Sequence, residues 1–246
     1  MAIFCKELRR LVLLIKYFYR VNPLLQNPVY HALISGDRHL SFGEGNVKYF
    51  DEQVSPFAGF EHGYEKGFSD LYDIFPPGRK ILYAAPFQIN LPAGWLLQIE
   101  LKGLQFVYES GSEIKKDFSN MILLEENHIE QMVQLAKITK PGPFGTGTIN
   151  FGSYYGIFDN EKLVAMTGQR LHVQNFTEIS AVCTHPDHTG KGYAKSLLQH
   201  QLHIILQQNQ QPFLHVREDN LRAIELYQRL GFKISRSMNF YFMRRQ

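Results

Sequence analysis

Cys183-Thr184-His185-Pro186-Asp187-His188-Thr189-Gly190-Lys191-Gly192-Tyr193-Ala194 is the stretch whose reading decides the fold. A strand ends, a proline-containing turn follows, and a glycine-rich loop opens a segment in which Ala194, Leu197, Leu198, Leu202 and Ile205 share one helical face. The first turn of a helix leaves backbone N–H groups without acceptors, and the helix dipole favours negative charge there. Gly190 and Gly192 let the backbone approach a phosphate closely, and Lys191 and Lys195 add positive charge. The stretch therefore reads as an anion site suited to a pyrophosphate. A Walker loop would need Ser or Thr after Gly190-Lys191, where Gly192 stands. A dinucleotide fingerprint would need glycine at Lys195 and an acidic residue where Gln210 and Gln211 fall.

Working outward, residues 127–138 have helical spacing and stop at Pro141-Gly142-Pro143. Residues 154–158 and 163–172 read as a hairpin, 178–184 as a strand, and 190–208 as the helix after the glycine loop. A strand over 212–217, a helix over 221–230 and a last strand over 232–243 complete a mixed sheet with helices packed on it. In the first half, 6–20 reads as an amphipathic helix, 31–34 and 39–42 as strands, and 61–73 as a short helix. Strands follow at 80–85 and 95–101. The polar, serine-rich segment 109–117 is the expected boundary. It divides a smaller α+β unit, residues 1–112, from a second domain, residues 113–246.

The chain has 246 residues, 44% of them hydrophobic, with 19 Phe and 13 Tyr, which is enough apolar material to exclude a mostly disordered chain. A net charge of +3 is too mild for the footprint of a nucleic-acid partner. Two cysteines, Cys5 and Cys183, exclude a disulfide framework and point to a reducing, cytoplasmic setting. The apolar run 11–15 is bracketed by Arg9, Arg10 and Lys16 and is followed by no small-residue cleavage site. The uncharged run 81–99 is broken by Pro86, Pro92 and Gly94, so no membrane span is expected. Cys183, His185 and His188 look like a metal cluster, but no fourth ligand stands at zinc-like spacing, and no metal is expected.

Thr189-Gly190-Lys191-Gly192-Tyr193-Ala194 resembles the acyl-CoA pyrophosphate motif of the GNAT superfamily of N-acetyltransferases, Gln/Arg-x-x-Gly-x-Gly/Ala. A second signature follows in order, with Val216, Asn220, Ala223, Tyr227, Gly231 and Phe232 on the family pattern Val-x-x-x-Asn-x-x-Ala-x-x-x-Tyr-x-x-x-Gly-Phe. The resemblance covers roughly residues 120–246, and residues 1–110 carry neither motif. It departs at Thr189, where the family has Gln or Arg. What it implies is an α/β fold of the GNAT kind, a mixed, mostly antiparallel sheet splayed where acetyl-CoA enters. The resemblance further implies that the backbone of Val182, Cys183 and Thr184 pairs with the pantetheine arm. Thr189, Gly190, Lys191, Gly192, Tyr193, Ala194 and Lys195 would hold the pyrophosphate, and Asn220 would contact the cofactor near its reactive end. The unit before it would be a degenerate GNAT-like half or a flat binding lobe.

Acetyl transfer from a thioester to an amine poses two proton problems. A lysine-like amine, of pKa about 10.4, must lose a proton before attack, and the leaving thiolate, of thiol pKa about 8.5, must gain one. Tyr227 matches the family's catalytic tyrosine and is the expected acid, with plain core packing as the alternative. Glu178 is the expected base, directly or through water. Strict alternation over the six residues to Thr184 places the two on one strand face. A solvated strand-end carboxylate is the alternative. Asn220 also suits a helix N-cap. The chain is thus expected to be an enzyme that acetylates a primary amine of a small molecule or peptide. A longer acyl-CoA donor, or a non-catalytic CoA-binding module, is the alternative.

Overall fold

The computed structural model describes residues 22–110 and 118–246. The expected helix over 6–20, Cys5, and most of the expected boundary segment lie outside the described residues.

After a 3₁₀ turn at Pro23–Gln26, the chain enters helix α1 (Pro28–Leu33). The Asn27 side chain accepts from Tyr30 N–H at 3.4 Å, and Pro28 takes the first helical position. A strand was expected over 31–34. The cap and the proline, whose φ is already helical, decide for helix, and Val29, Ala32 and Leu33 then bury one face. Strands β1 (Ser41–Phe42), β2 (Val47–Phe50) and β3 (Ala58–Phe60) form a small antiparallel sheet, followed by α2 (Gly67–Ile74). Next come β4 (Lys80–Ala85), β5 (Trp95–Tyr108), β6 (Ile122–Leu123), α3 (Ile129–Thr139), β7 (Tyr155–Asp159), β8 (Lys162–Val173) and β9 (Phe176–Thr184). The chain ends with α4 (Tyr193–Gln207), β10 (Gln211–Arg217), α5 (Leu221–Arg229) and β11 (Phe232–Arg245).

Eight strands form one sheet in the order β4-β11-β5-β10-β9-β8-β7-β6. All neighbours are antiparallel except β9 and β10. This is the mixed, mostly antiparallel sheet that was expected. Helices α4 and α5 cover one face, packing on Ile179, Leu214 and Phe232. Helices α1 and α3 cover the other, packing on Leu171, Phe176 and Phe213. Among the described residues no helix is long and apolar enough to cross a membrane.

The sheet does not divide at the expected boundary of 112 and 113. Strand β5, from the first half, lies between β10 and β11 from the second, pairing Phe106 with both Leu214 and Ile234. One core joins Leu25, Phe50 and Phe57 to Phe213 and Met238. A further joint is polar: the fully buried Asp37 carboxylate accepts from His172 N–H at 2.9 Å and lies 2.7 Å from His172 Nδ1. Gly36 N–H donates to His172 O at 3.1 Å. Strand partners are chosen by long-range burial, which the composition of the 109–117 segment does not report.

A Cβ added to Gly36 would sit 2.5 Å from both His172 Cβ and the His172 carbonyl oxygen. Gly36→Ala is expected to cost about 1–3 kcal/mol through overpacking. Because both halves share one sheet, thermal unfolding should remain a single transition at lower Tm; two separate transitions would show that the halves unfold independently.

Candidate active site

Strands β9 and β10 pair at three positions, Gln211 with Phe176, Pro212 with Thr177 and Phe213 with Glu178. Past that point β9 stays laddered to β8 as far as Thr184, and β10 stays laddered to β5 as far as Arg217. The two strands therefore part, and the β9 edge from Ile179 to Thr184 faces a slot in the sheet. Ala181 has φ +52°, and the register on β8 slips between Met166 and Gly168, which is a bulge with one extra residue on β9. The bulge inverts the side-chain alternation. Phe176 before it and Ala181 and Cys183 after it share one core, while Ile179 and Val182 pack on the helix face. Glu178 consequently lies on the Cys183 side of β9, not on the Thr184 side that unbroken alternation predicted.

Helix α4 begins at Tyr193, after the turn at 185–192 that follows the end of β9. Gly190 and Gly192 have φ +83° and +82°, conformations that a side chain resists. The first bond on the helix cap runs from Ser196 N–H to Gly192 O at 3.1 Å, which leaves the amides of Tyr193, Ala194 and Lys195 without helical acceptors. Lys191 and Lys195 are exposed beside them. The Thr189 hydroxyl donates to Pro186 O at 3.0 Å, so it caps the turn instead of reaching outward. Val182, Cys183 and Thr184 contribute the unpaired β9 edge. The Cys183 side chain is buried in the core with Phe176 and Ala181, and burial pushes its thiol up to about 11. The Thr184 hydroxyl is buried and has no hydrogen-bond partner among the described residues. Orphan amides, an unpaired strand edge and an unpartnered hydroxyl fit a group with phosphates at one end and an amide-bearing arm at the other.

Asn220 caps α5, its side chain accepting from Ala223 N–H at 3.2 Å. Tyr227, on α5, is buried between Phe106 and Phe232, each ring centroid 6.1 Å away, and packs with Ile179 and Leu214 on the helix face. Burial raises its hydroxyl to about 12.

Glu178 is fully buried on the opposite face. Arg170 Nε and Nη2 each donate to it at 2.8 Å, and His215 Nδ1 lies 2.7 Å from Oε1. Burial alone would raise this carboxyl; the guanidinium charge with its two hydrogen bonds, and then His215, outweigh it and hold it at about 2. A carboxylate of that pKa with both oxygens engaged is a poor acceptor for an ammonium proton. The structure thus separates the expected acid and base onto two faces of the sheet and gives Glu178 an ion-pair partner instead of a substrate-facing position. Sequence reasoning missed Arg170, His215 and Gln105. Their one visible signal was polarity inside otherwise apolar strands.

Residues 154–241 match the family model described as FR47-like protein. The chain is similar to a candidate acetyltransferase of the GNAT family from Novosphingobium aromaticivorans, with 29% identity and a TM-score of 0.84 over 90% of this chain and 98% of that one. It is also similar in fold to a Drosophila protein, at 12% identity and a TM-score of 0.62 over 95% of each chain. A GCN5-related N-acetyltransferase from Kribbella flavida is similar at 11% identity and a TM-score of 0.56, over 87% of this chain and 95% of that one. No curated protein matches the chain. The chain has the fold of the GNAT acetyltransferase from Novosphingobium aromaticivorans.

Glu178 ties its ionisation to stability. Its pKa falls from 4.5 to about 2 on folding, so its stabilisation is complete above about pH 4.5 and is lost as pH falls towards 2. Glu178→Gln leaves Arg170 buried without a counter-charge and is expected to cost about 3–5 kcal/mol at neutral pH. Its stability should vary less with pH between 5 and 2 than that of the unaltered chain, as followed by urea unfolding at each pH. An equal slope in both proteins would mean that folding does not lower the Glu178 pKa.

Proposed function

We propose that the protein is an N-acyltransferase that moves the acetyl group of acetyl-CoA to a primary amine of a small molecule or peptide, within a ternary complex. The observation that carries this reading is the parting of β9 and β10 beside a glycine-capped helix start, in a chain of GNAT fold. Amides from Gly190 to Lys195, with Lys191 and Lys195, hold the pyrophosphate. The edge at Val182, Cys183 and Thr184 pairs with the pantetheine arm, and Asn220 stands by its inner end.

The amine enters as its neutral form and attacks the thioester carbon. A C–N bond forms, the C–S bond breaks, and the thiolate takes its proton from Tyr227. With its hydroxyl raised to about 12 by burial, Tyr227 is in its protonated form at neutral pH. The proton released by the attacking nitrogen returns to solvent, and the tyrosinate is reprotonated from it. The structural neighbours of GNAT type support acyl transfer in general, and their substrates are their own.

Two variants test this. A carboxylate at Gly192 would face the orphan amides, and Gly192→Glu is expected to weaken acetyl-CoA binding by about a hundredfold or more, read by titration calorimetry. Tyr227→Phe should lower kcat by about a hundredfold in a thiol-release assay across an amine panel, with little change in acetyl-CoA affinity. Preference for a butyryl or longer donor would replace acetyl in the reading, and tight CoA binding without thiol release from any amine would make the chain a binding module.

A further inference from the structure

Four side chains on four adjacent strands form a polar line across the core face of the sheet. Arg170 of β8 grips Glu178 of β9 through two bonds of 2.8 Å. His215 of β10 donates from Nδ1 to Glu178 at 2.7 Å. The amide of Gln105, on β5, donates to His215 Nε2 at 3.0 Å and to Leu25 O at 2.8 Å. With that amide donating to both Leu25 O and the ring, Nε2 is the acceptor on the β5 side and Nδ1 the donor to Glu178. Its Nε2 therefore faces β5, away from the slot between β9 and β10, and is not aimed at an incoming amine.

The line crosses the sheet at the level where the backbone ladder stops. Glu178 belongs to the last β9–β10 pair, and His215 lies two residues past its partner Phe213. Where the backbone pairs end, the buried His215–Glu178 bond links the two strands. The bidentate Arg170 fork fixes the carboxylate's orientation, and the Gln105 link anchors the far end on the first half of the chain.

We propose that Arg170, Glu178, His215 and Gln105 act as one clasp that sets how deep β9 and β10 part, and so positions the pantetheine arm and the acyl carbon. They are positioning residues, Glu178 included, and none of them takes the amine proton. The first half of the chain reaches the slot through β5 and the Leu25 carbonyl. This rests on the acyl-CoA reading above.

The test compares CoA with 3′-phosphoadenosine 5′-diphosphate, which carries the phosphates without the arm, by titration calorimetry on the full chain. His215→Ala is expected to weaken CoA binding about tenfold while leaving the nucleotide within about twofold. His215→Asn, which keeps a donor for Glu178, should recover most of the loss, and in turnover the KM for acetyl-CoA should rise more than kcat falls. Gln105→Leu keeps side-chain bulk and should give the same selective loss if the alanine variant is poorly folded. Unchanged CoA affinity in both variants, or equal loss for both ligands, would overturn the clasp alone. A Glu178→Gln variant that binds CoA normally but has lost turnover would overturn it in favour of a base. Failure of the unaltered chain to bind either ligand would remove the acyl-CoA reading, and the clasp with it.

Discussion

The parallel ladder between β9 and β10 ends after three residue pairs, and beyond it each strand follows the neighbour on its other edge. β9 follows β8 through a bulge at Ala181, which adds a residue and turns the strand. β10 follows β5, which belongs to a long antiparallel pair with β11. A gap in a sheet exposes unpaired backbone groups, and these are tolerated only where something else satisfies them. The slot and the open strand edge at 182–184 follow from this one divergence.

Closing the inner end of the slot with ions is energetically demanding. Burying a carboxylate and a guanidinium costs several kcal/mol each before their attraction is counted, and only complete hydrogen bonding offsets it. Glu178 meets that condition with the Arg170 fork and the His215 donor, and the consequence is weak basicity. Tyr227 experiences burial without an ionic partner, which moves it the opposite way and keeps its proton on. Two buried groups near one slot thus acquire opposite characters from what surrounds them, and they do so on opposite faces of the sheet.

Features governed by near neighbours were legible. The glycine loop, the helix from Tyr193, the hairpin of β7 and β8, and the order of strands and helices after residue 120 follow from turn chemistry and periodicity, and the structure has them with shifts of a few residues. Residues 31–34 were misread because an apolar run of that length suits strand or helix, and the deciding Asn27-Pro28 cap lies just before it. The Glu178 face was misread because a single residue at positive φ, Ala181, breaks an alternation that looks continuous in the sequence. Arg170, His215 and Gln105 come from positions far apart in the chain and carry no motif.

The sequence by itself determined the class of the C-terminal part and the place of its glycine-capped helix start. Both rest on glycine conformations, helix-start amides and motif spacings contained in two short stretches, 183–194 and 216–232. Only the tertiary structure decided that residues before 112 supply a central strand, that Glu178 is an ion-pair partner, and that Tyr227 and Glu178 face apart. Those outcomes depend on which strands lie side by side and on which charges are shut away from water together. Pairing across a hundred residues is settled by burial of the whole chain, not by any local segment.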